Sequence, residues 1–361
     1  MRASAVLGEV WRDTVGGASR AVWWAAVLAA AVSLVAWADV RSVVSILRDA
    51  AAFRAGGGAV QVLKADGLID GRRCDALAQT AGVTAAGAIR PAPATRLWSL
   101  PSSPVTSLEA TPGFIALLAQ VGQSVDQDAS LVGGVWLSSD LAQVLGLAPG
   151  QVMRTAAGPA VVAGVYSWPD DGRSRELGYA MVVPVPATTA FAQCWAQLWP
   201  GDPSLDALPR LSLDGAVDPA QLSSGQLNPS LGRAHQASAR LAARPTAWAP
   251  WAAAGVGLVL GYAATRGRRL ELAAALQARV PRAHLVWQHL LETGLWAGAG
   301  MVVAAAGLLW GAAAGNPDPG WAVWLIGARS VAAGGAAALA GAVIGAVRTR
   351  QKDLWRHFQE R

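Results

Sequence analysis

Four apolar runs govern what this chain can become: residues 21–38, 248–264, 290–314 and 321–347. Each is long enough to cross about 30 Å of hydrocarbon as a helix. In lipid, only helices and closed barrels satisfy all of their own backbone groups. The last two runs are long enough to tilt or to enter the interface. The chain is 53% hydrophobic and only 14% charged over 361 residues, whereas soluble domains carry about 25% charge. The sequence therefore predicts a membrane protein with one span, a long insertion, and three further spans.

The charges orient those spans. Arg2, Arg12 and Arg20 precede the first run, and Arg266, Arg268, Arg269, Arg279 and Arg282 separate the second from the third. Arg348, Arg350, Lys352, Arg356 and Arg361 follow the fourth, while the loop 315–320 has no positive charge. Short loops rich in arginine stay on the cytoplasmic side. The expected topology has cytoplasmic N- and C-termini in the cell (plasma or inner) membrane and an external domain between spans one and two. The net charge of +6 is then a topology signal, and no basic–aromatic module speaks for nucleic acid.

The predicted parts follow in order. Residues 1–20, with Val6, Leu7, Val10 and Trp11 at helical spacing, form a cytoplasmic amphipathic helix on the inner leaflet. Span one is 21–38. Its basic start and Ala36-Trp37-Ala38 mimic a cleavable signal peptide. The run is longer than a usual signal core, and helical patterning continues through Val40, Val43, Val44, Leu47 and Ala51, so 39–54 reads as an outward stalk. Residues 39–245 hold stalk helices and an α+β extracytoplasmic domain. Span two is 246–264, the cytoplasmic loop 265–289, span three 290–314, span four 321–347 and the cytoplasmic tail 348–361.

Gly56-Gly57-Gly58 ends the stalk. Strands are expected at 59–63, 83–89, 96–100, 135–137, 151–155, 160–166 and 179–185, and helices at 111–120, 139–145 and 188–199. Ser138, Ser139 or Thr188 is a candidate cap. A returning helix over 228–244 would pair with the first stalk. Cys74 and Cys194 both fall in the exported segment, where an oxidising compartment favours a disulfide; two buried free thiols are the alternative. Spans two to four carry small-x-x-x-small pairs, Gly257/Gly261, Gly294/Gly298, Gly311/Gly315 and Gly341/Gly345, which permit close helix approach in lipid.

The loop 265–292 is the most specific stretch. Arg268-Arg269-Leu270-Glu271 opens it and Leu272 to Leu276 continue with strong helix formers. Arg279-Val280-Pro281-Arg282 breaks it, and a second helical run carries Glu292. In the insertion, residues 137–152 read as a helix, a Gly146 stop, a Pro149-Gly150 turn and a strand, followed by a strand ending Val162-Ala163-Gly164-Val165.

These two stretches, with the one-plus-three order of spans, resemble the FtsX/MacB-type ABC transporter permeases. There an Arg-x-x-Glu opening leads to a short helix, a glycine corner and an amphipathic entry carrying a Glu. The glycine of that pattern falls on Arg279 here, with Pro281 supplying a break. The resemblance implies a non-catalytic permease subunit of an ABC transporter, moving or extracting an unknown substrate. A separate ATPase subunit would bind the ATP, and this chain would need no cofactor of its own. It also implies a dimer with a second permease copy or a paralogue, and mechanotransmission from inner loop to outer domain. Arg268, Arg269, Glu271, Leu272, Leu276, Arg279, Pro281 and Arg282 would couple to the ATPase; Glu292 and Arg329 would transmit. The other reading the resemblance allows is an FtsX-like anchor that activates a cell-wall hydrolase.

Other chemistry lacks its motif. Neither Lys64 nor Lys352 stands in a phosphate-binding Gly-rich loop, so no ATP hydrolysis is expected in this chain. His284 and His289 are spaced wrongly for a metal pair, and His235 and His357 stand alone, so no metal is expected. No nucleophile elbow occurs. Asp170-Asp171 and Asp126/Asp128 read as solvated turns. Arg329, inside span four, either faces a partner or snorkels outward.

Overall fold

The computed structural model describes residues 20–349 except 122, 123, 128–133, 157, 202, 216, 233, 234 and 236. The expected N-terminal amphipathic helix and the tail beyond Thr349 lie outside the described residues, as does Asp128. The chain divides into two compact units, Asp49–Ala237 (the head) and the residues before and after it (the membrane unit).

The membrane unit is built on four helices long and apolar enough to cross a membrane. They are α1 (Ala21–Ala55), α6 (Ala249–Gly267), α8 (Arg282–Ala313) and α9 (Gly320–Arg348). Helix α1 has 35 residues, about 52 Å at 1.5 Å per residue. That exceeds the hydrocarbon thickness, so span and expected stalk are one unbroken rod. Its buried stripe, Leu28, Val32, Ala36, Val40, Val43 and Val44, packs with Trp296, Ala304, Leu308, Val323 and Val331.

Two of the glycine pairs lie at one interface. A Cβ on Gly257 or Gly261 of α6 would meet the backbone carbonyl of Gly334 or Ala338 in α9, and Gly341 stands in the same relation to Leu258. Gly345 lies against Thr265. The two backbones therefore touch, as van der Waals packing in lipid requires. Gly294 and Gly298 face open space, while Gly311 sits against Trp37. Trp248, Trp251, Trp310 and Trp321 are exposed near helix ends, as an aromatic belt demands. Trp324 donates to the Ala305 carbonyl at 2.9 Å.

Two arginines of α1 fasten the end of α8: Arg41 donates to the carbonyl of Ala314 (3.2 Å), and Arg48 donates to those of Gly315 (2.5 Å) and Ala314 (3.0 Å). Arg244 enters the same unit as an ion pair with Asp39 at 2.9 Å. Asp39 is 1% exposed, so this pair is a buried clamp on α1 beside the start of α6.

The head is α+β. Its strands are β1 (Val60–Asp70), β2 (Val83–Leu97), β3 (Leu100–Ala110), β4 (Ser124–Gln127), β5 (Val135–Ser138), β6 (Val152–Thr155), β7 (Gly158–Tyr166), β8 (Ala180–Pro184), β9 (Ala190–Leu198) and β10 (Ser223–Gln226). They form a sheet of order β10-β1-β9-β2-β3-β8-β5-β7-β4, with β6 pairing β2 and β7. The helices α2 (Gly71–Ala76), α3 (Pro112–Val121) and α4 (Ser139–Leu145) pack on it. Helix α3 buries Phe114, Leu117, Leu118 and Val121 with Trp195, Tyr166 and Trp168. Leu63, Ile69, Leu77, Phe191 and Leu198 form a separate core around the disulfide between Cys74 and Cys194. The bridge spans 120 residues, and closing a loop of that size in the unfolded chain is worth about 4.7 kcal/mol in the chain-entropy treatment.

Most expected elements are present, with Ser138 capping α4 through Leu141 N and Gly146 ending it at φ 65°. Four differ. The helix expected over 188–199 is strand β9. Its alanines favour a helix, but β9 lies between β1 and β2 and is buried on both faces, so its mixed apolar run suits a central strand. The strand expected over 96–100 is the tip joining β2 to β3. Strands β3, β4 and β10 and the short helix α2 have no counterpart among the expected elements; prolines 101 and 104 disguise β3. The returning stalk helix over 228–244 is reduced to a 3-10 turn, Pro229–Leu231, and a six-residue helix α5, Ala237–Ala242. A stalk of two long helices is thus corrected to one.

Candidate functional site

Helix α6 ends at Gly267, and α7 (Arg269–Gln277) begins almost at once. Arg268 is the corner between them; its backbone N–H donates to Thr265, the last buried residue of α6. Its guanidinium is shared. Nη1 reaches Glu292 of α8 at 2.5 Å, and Nε reaches Glu271 of α7 at 2.6 Å. One side chain therefore ties three helices together.

Glu292 is 5% exposed. Besides Arg268 it faces His289 Nδ1 at 3.3 Å and accepts from Gln288 Nε2 at 3.4 Å. A buried carboxylate so surrounded is stable while its cation stays; losing the cation leaves a charge stranded in a poor solvent.

Helix α7 is two-sided. Leu272 and Ala273 are buried in the membrane unit, while Glu271, Ala274, Gln277, Ala278, Arg279, Pro281 and Arg282 are exposed and Leu276 and Arg269 are half-buried. Leu272 therefore seats the helix, and the surface it offers is the Glu271–Gln277 side and the corner beyond. That corner is formed by Arg279 at φ +60°. A left-handed backbone favours glycine and costs other residues about 1 kcal/mol. Arg279 adopts it here, and Pro281 stands at the N-cap position of α8.

Arg329 lies apart. It sits on the exposed side of α9 and makes no hydrogen bond or ion pair among the described residues. Four arginine clamps carry no sequence motif: Arg244 on Asp39, Arg41 and Arg48 on the end of α8, and Arg173 in the head. An acid directly after one apolar run and an arginine just before the next were a usable signal for the first. Asp171, expected in a solvated turn, pairs with Arg173 at 2.7 Å. The hydrogen bonds from Arg173 hold its carboxyl below the usual range. Burial pushes Asp75 upward, partly offset by hydrogen bonds from Thr111 and Gly113.

No family profile matches the sequence, and no curated protein matches it. Solved structures do. A domain of a protein described as a permease, from Porphyromonas gingivalis, is 17% identical, covers 47% of this chain and 90% of its own, with a TM-score of 0.33. The periplasmic region of MacB from Actinobacillus actinomycetemcomitans is 7% identical, covering 48% of this chain and 91% of its own, TM-score 0.34. The extracellular domain of the noncanonic ABC-type transporter YknZ from Gram-positive bacteria is 14% identical, covering 41% and 88%, TM-score 0.30.

Proposed function

We propose that this chain is the permease subunit of an ABC transporter of the FtsX/MacB type, and that α7 and the Arg279 corner receive the thrust of a separate ATPase. The observation carrying this reading is the Arg268 hub. A helix that offers one exposed face, with its root bonded to α6, α7 and α8 at once, passes a push to two spans together. A positioned ATPase closing against Glu271, Gln277 and Arg282 would tilt α7 about Arg268. The spans would carry that motion outward, α1 reaching furthest, to work on a substrate outside the bilayer. In this reading the termini are cytoplasmic, the head is extracytoplasmic, and two permease chains act as a pair.

Affinity purification of the full chain from its native membrane tests the proposal. An ABC ATPase should be recovered with the wild type and lost at least tenfold with Glu271→Arg, while Arg329→Gln retains it. Recovery of no ATPase under mild cross-linking overturns the reading. Side-specific labelling provides a second check: Asp140→Cys should react from outside and Arg279→Cys only after permeabilisation.

A further inference from the structure

We infer that Arg173 is the positioning residue that fixes the tip of α1 within the head, so that the end of the rod and the sheet move as one body. This rests on the permease reading only for its functional consequence. From Asp49 on, α1 belongs to the head unit, and its last residue is Ala55. A helix end leaves carbonyls without partners and carries partial negative charge. Arg173 meets two such ends at once. Its Nη2 donates to the Ala55 carbonyl at 3.1 Å, and its Nη1 to the carbonyl of Val121, the last residue of α3, at 3.1 Å. The guanidinium is 3% exposed as a side chain, so neither bond is shared with solvent.

The rest of the environment holds that fork in one orientation. Asp171 grips it through Nε at 2.8 Å and Nη2 at 2.7 Å. Trp168 lies under it, 4.9 Å from Cζ to the ring centroid. Gly172, between the pair, takes φ +98°, and a Cβ there would meet Ser230. Asn228 donates to the carbonyls of Gly56 (2.8 Å) and Asp171 (3.3 Å), joining the residue just after α1 to the same turn. Only a planar side chain with five donors meets this set; a lysine has the charge without the fork. The loop of Asp170 to Arg175 is therefore a joint.

Paired nitroxide labels on the full chain in lipid nanodiscs test this. Cys74 and Cys194 are bonded to each other, so new cysteines at Ala52 in α1 and Asp66 in β1, both exposed, take the label alone. Wild type should give one narrow distance distribution. Arg173→Gln should at least double its width, Arg173→Lys should resemble Gln, and Arg175→Gln, at the exposed neighbouring pair with Asp170, should leave it narrow. Equal widths for wild type and Arg173→Gln overturn the inference. If Arg173→Gln does not fold, Asn228→Ala is read in the same way, and a narrow distribution there overturns it. The coupled readout separates a joint from general stability. In complex with its ATPase, Arg173→Lys should keep ATP turnover within twofold while ATP-driven changes in head hydrogen exchange disappear. Failure to recover an ATPase would sink the permease reading and leave the label result standing.

Discussion

The membrane unit and the head are held by opposite means. In the membrane unit, α6 and α9 meet backbone to backbone because Gly257, Gly261 and Gly341 carry no side chain. In the head, large rings fill the gaps: Phe114 meets Trp195 edge-on with centroids 5.2 Å apart, and Trp168 lies 6.2 Å from Trp195. The solvent decides. Water drives apolar rings together in the head, whereas lipid offers helices nothing to flee from and leaves contact itself as the attraction. Enlarging a residue should therefore hurt one unit and trimming a residue the other.

The sharpest break of that contrast is chemical reduction. Reducing Cys74–Cys194, or Cys74→Ser with Cys194→Ser, should cost the head about 4–5 kcal/mol. Hydrogen exchange should rise across β1, β9 and α2, with α6 and α9 unchanged. A matching rise in the membrane helices would show that the two units do not melt separately. Next in size is Arg268→Ala, which strands Glu292 and should cost about 3–5 kcal/mol in the membrane unit alone. Arg268→Ala with Glu292→Gln should recover most of that stability, measured as the thermal midpoint in detergent. Gly261→Val should follow, at about 1–3 kcal/mol from forced separation of α6 and α9; the same change at the open Gly294 or Gly298 should cost little.

The smallest effect is acidic. The folded carboxyl of Asp171 sits below its unfolded value. Its contribution is thus present above the unfolded pKa of about 3.9 and is lost as pH falls through the lower folded one. Asp75 is raised, so its sign is opposite: stability falls as pH rises through the window above 3.9. Asp171→Asn should flatten the acid limb of head stability, and Asp75→Asn should flatten the limb just above it. Both are read by tryptophan fluorescence against pH.

The sequence announced the membrane unit more clearly than the head. Long apolar runs and the Pro281 break are followed by α1, α6, α7, α8 and α9, whereas only two of the four glycine pairs, Gly257/Gly261 and Gly341/Gly345, mark the contact of α6 with α9. In the head, local pattern competes with placement. Ala190 to Leu198 reads as a helix until β1 and β2 bury both of its faces. Residues 228–244 carry too weak an apolar stripe to hold one helix, and the prolines of β3 hide a strand. Of the candidate site, Arg268, Glu271 and Glu292 were picked out in the sequence by the resemblance of the Arg-x-x-Glu opening and the later acid. Their convergence was not, since it depends on where α8 passes α6. Arg173 gave no periodic signal at all; beside Asp171 and Trp168 its partners are the carbonyls of Ala55 and Val121, which the sequence does not write.

The seam between α6 and α9 has a consequence for biogenesis. Because α6 ends at Gly267 and α9 begins only at Gly320, the glycines of α6 are made first and have no facing backbone to fill them until α9 joins the bilayer. The bundle closes only when its last-made member arrives. A chain truncated before Gly320 would leave that glycine face of α6 uncovered in the bilayer.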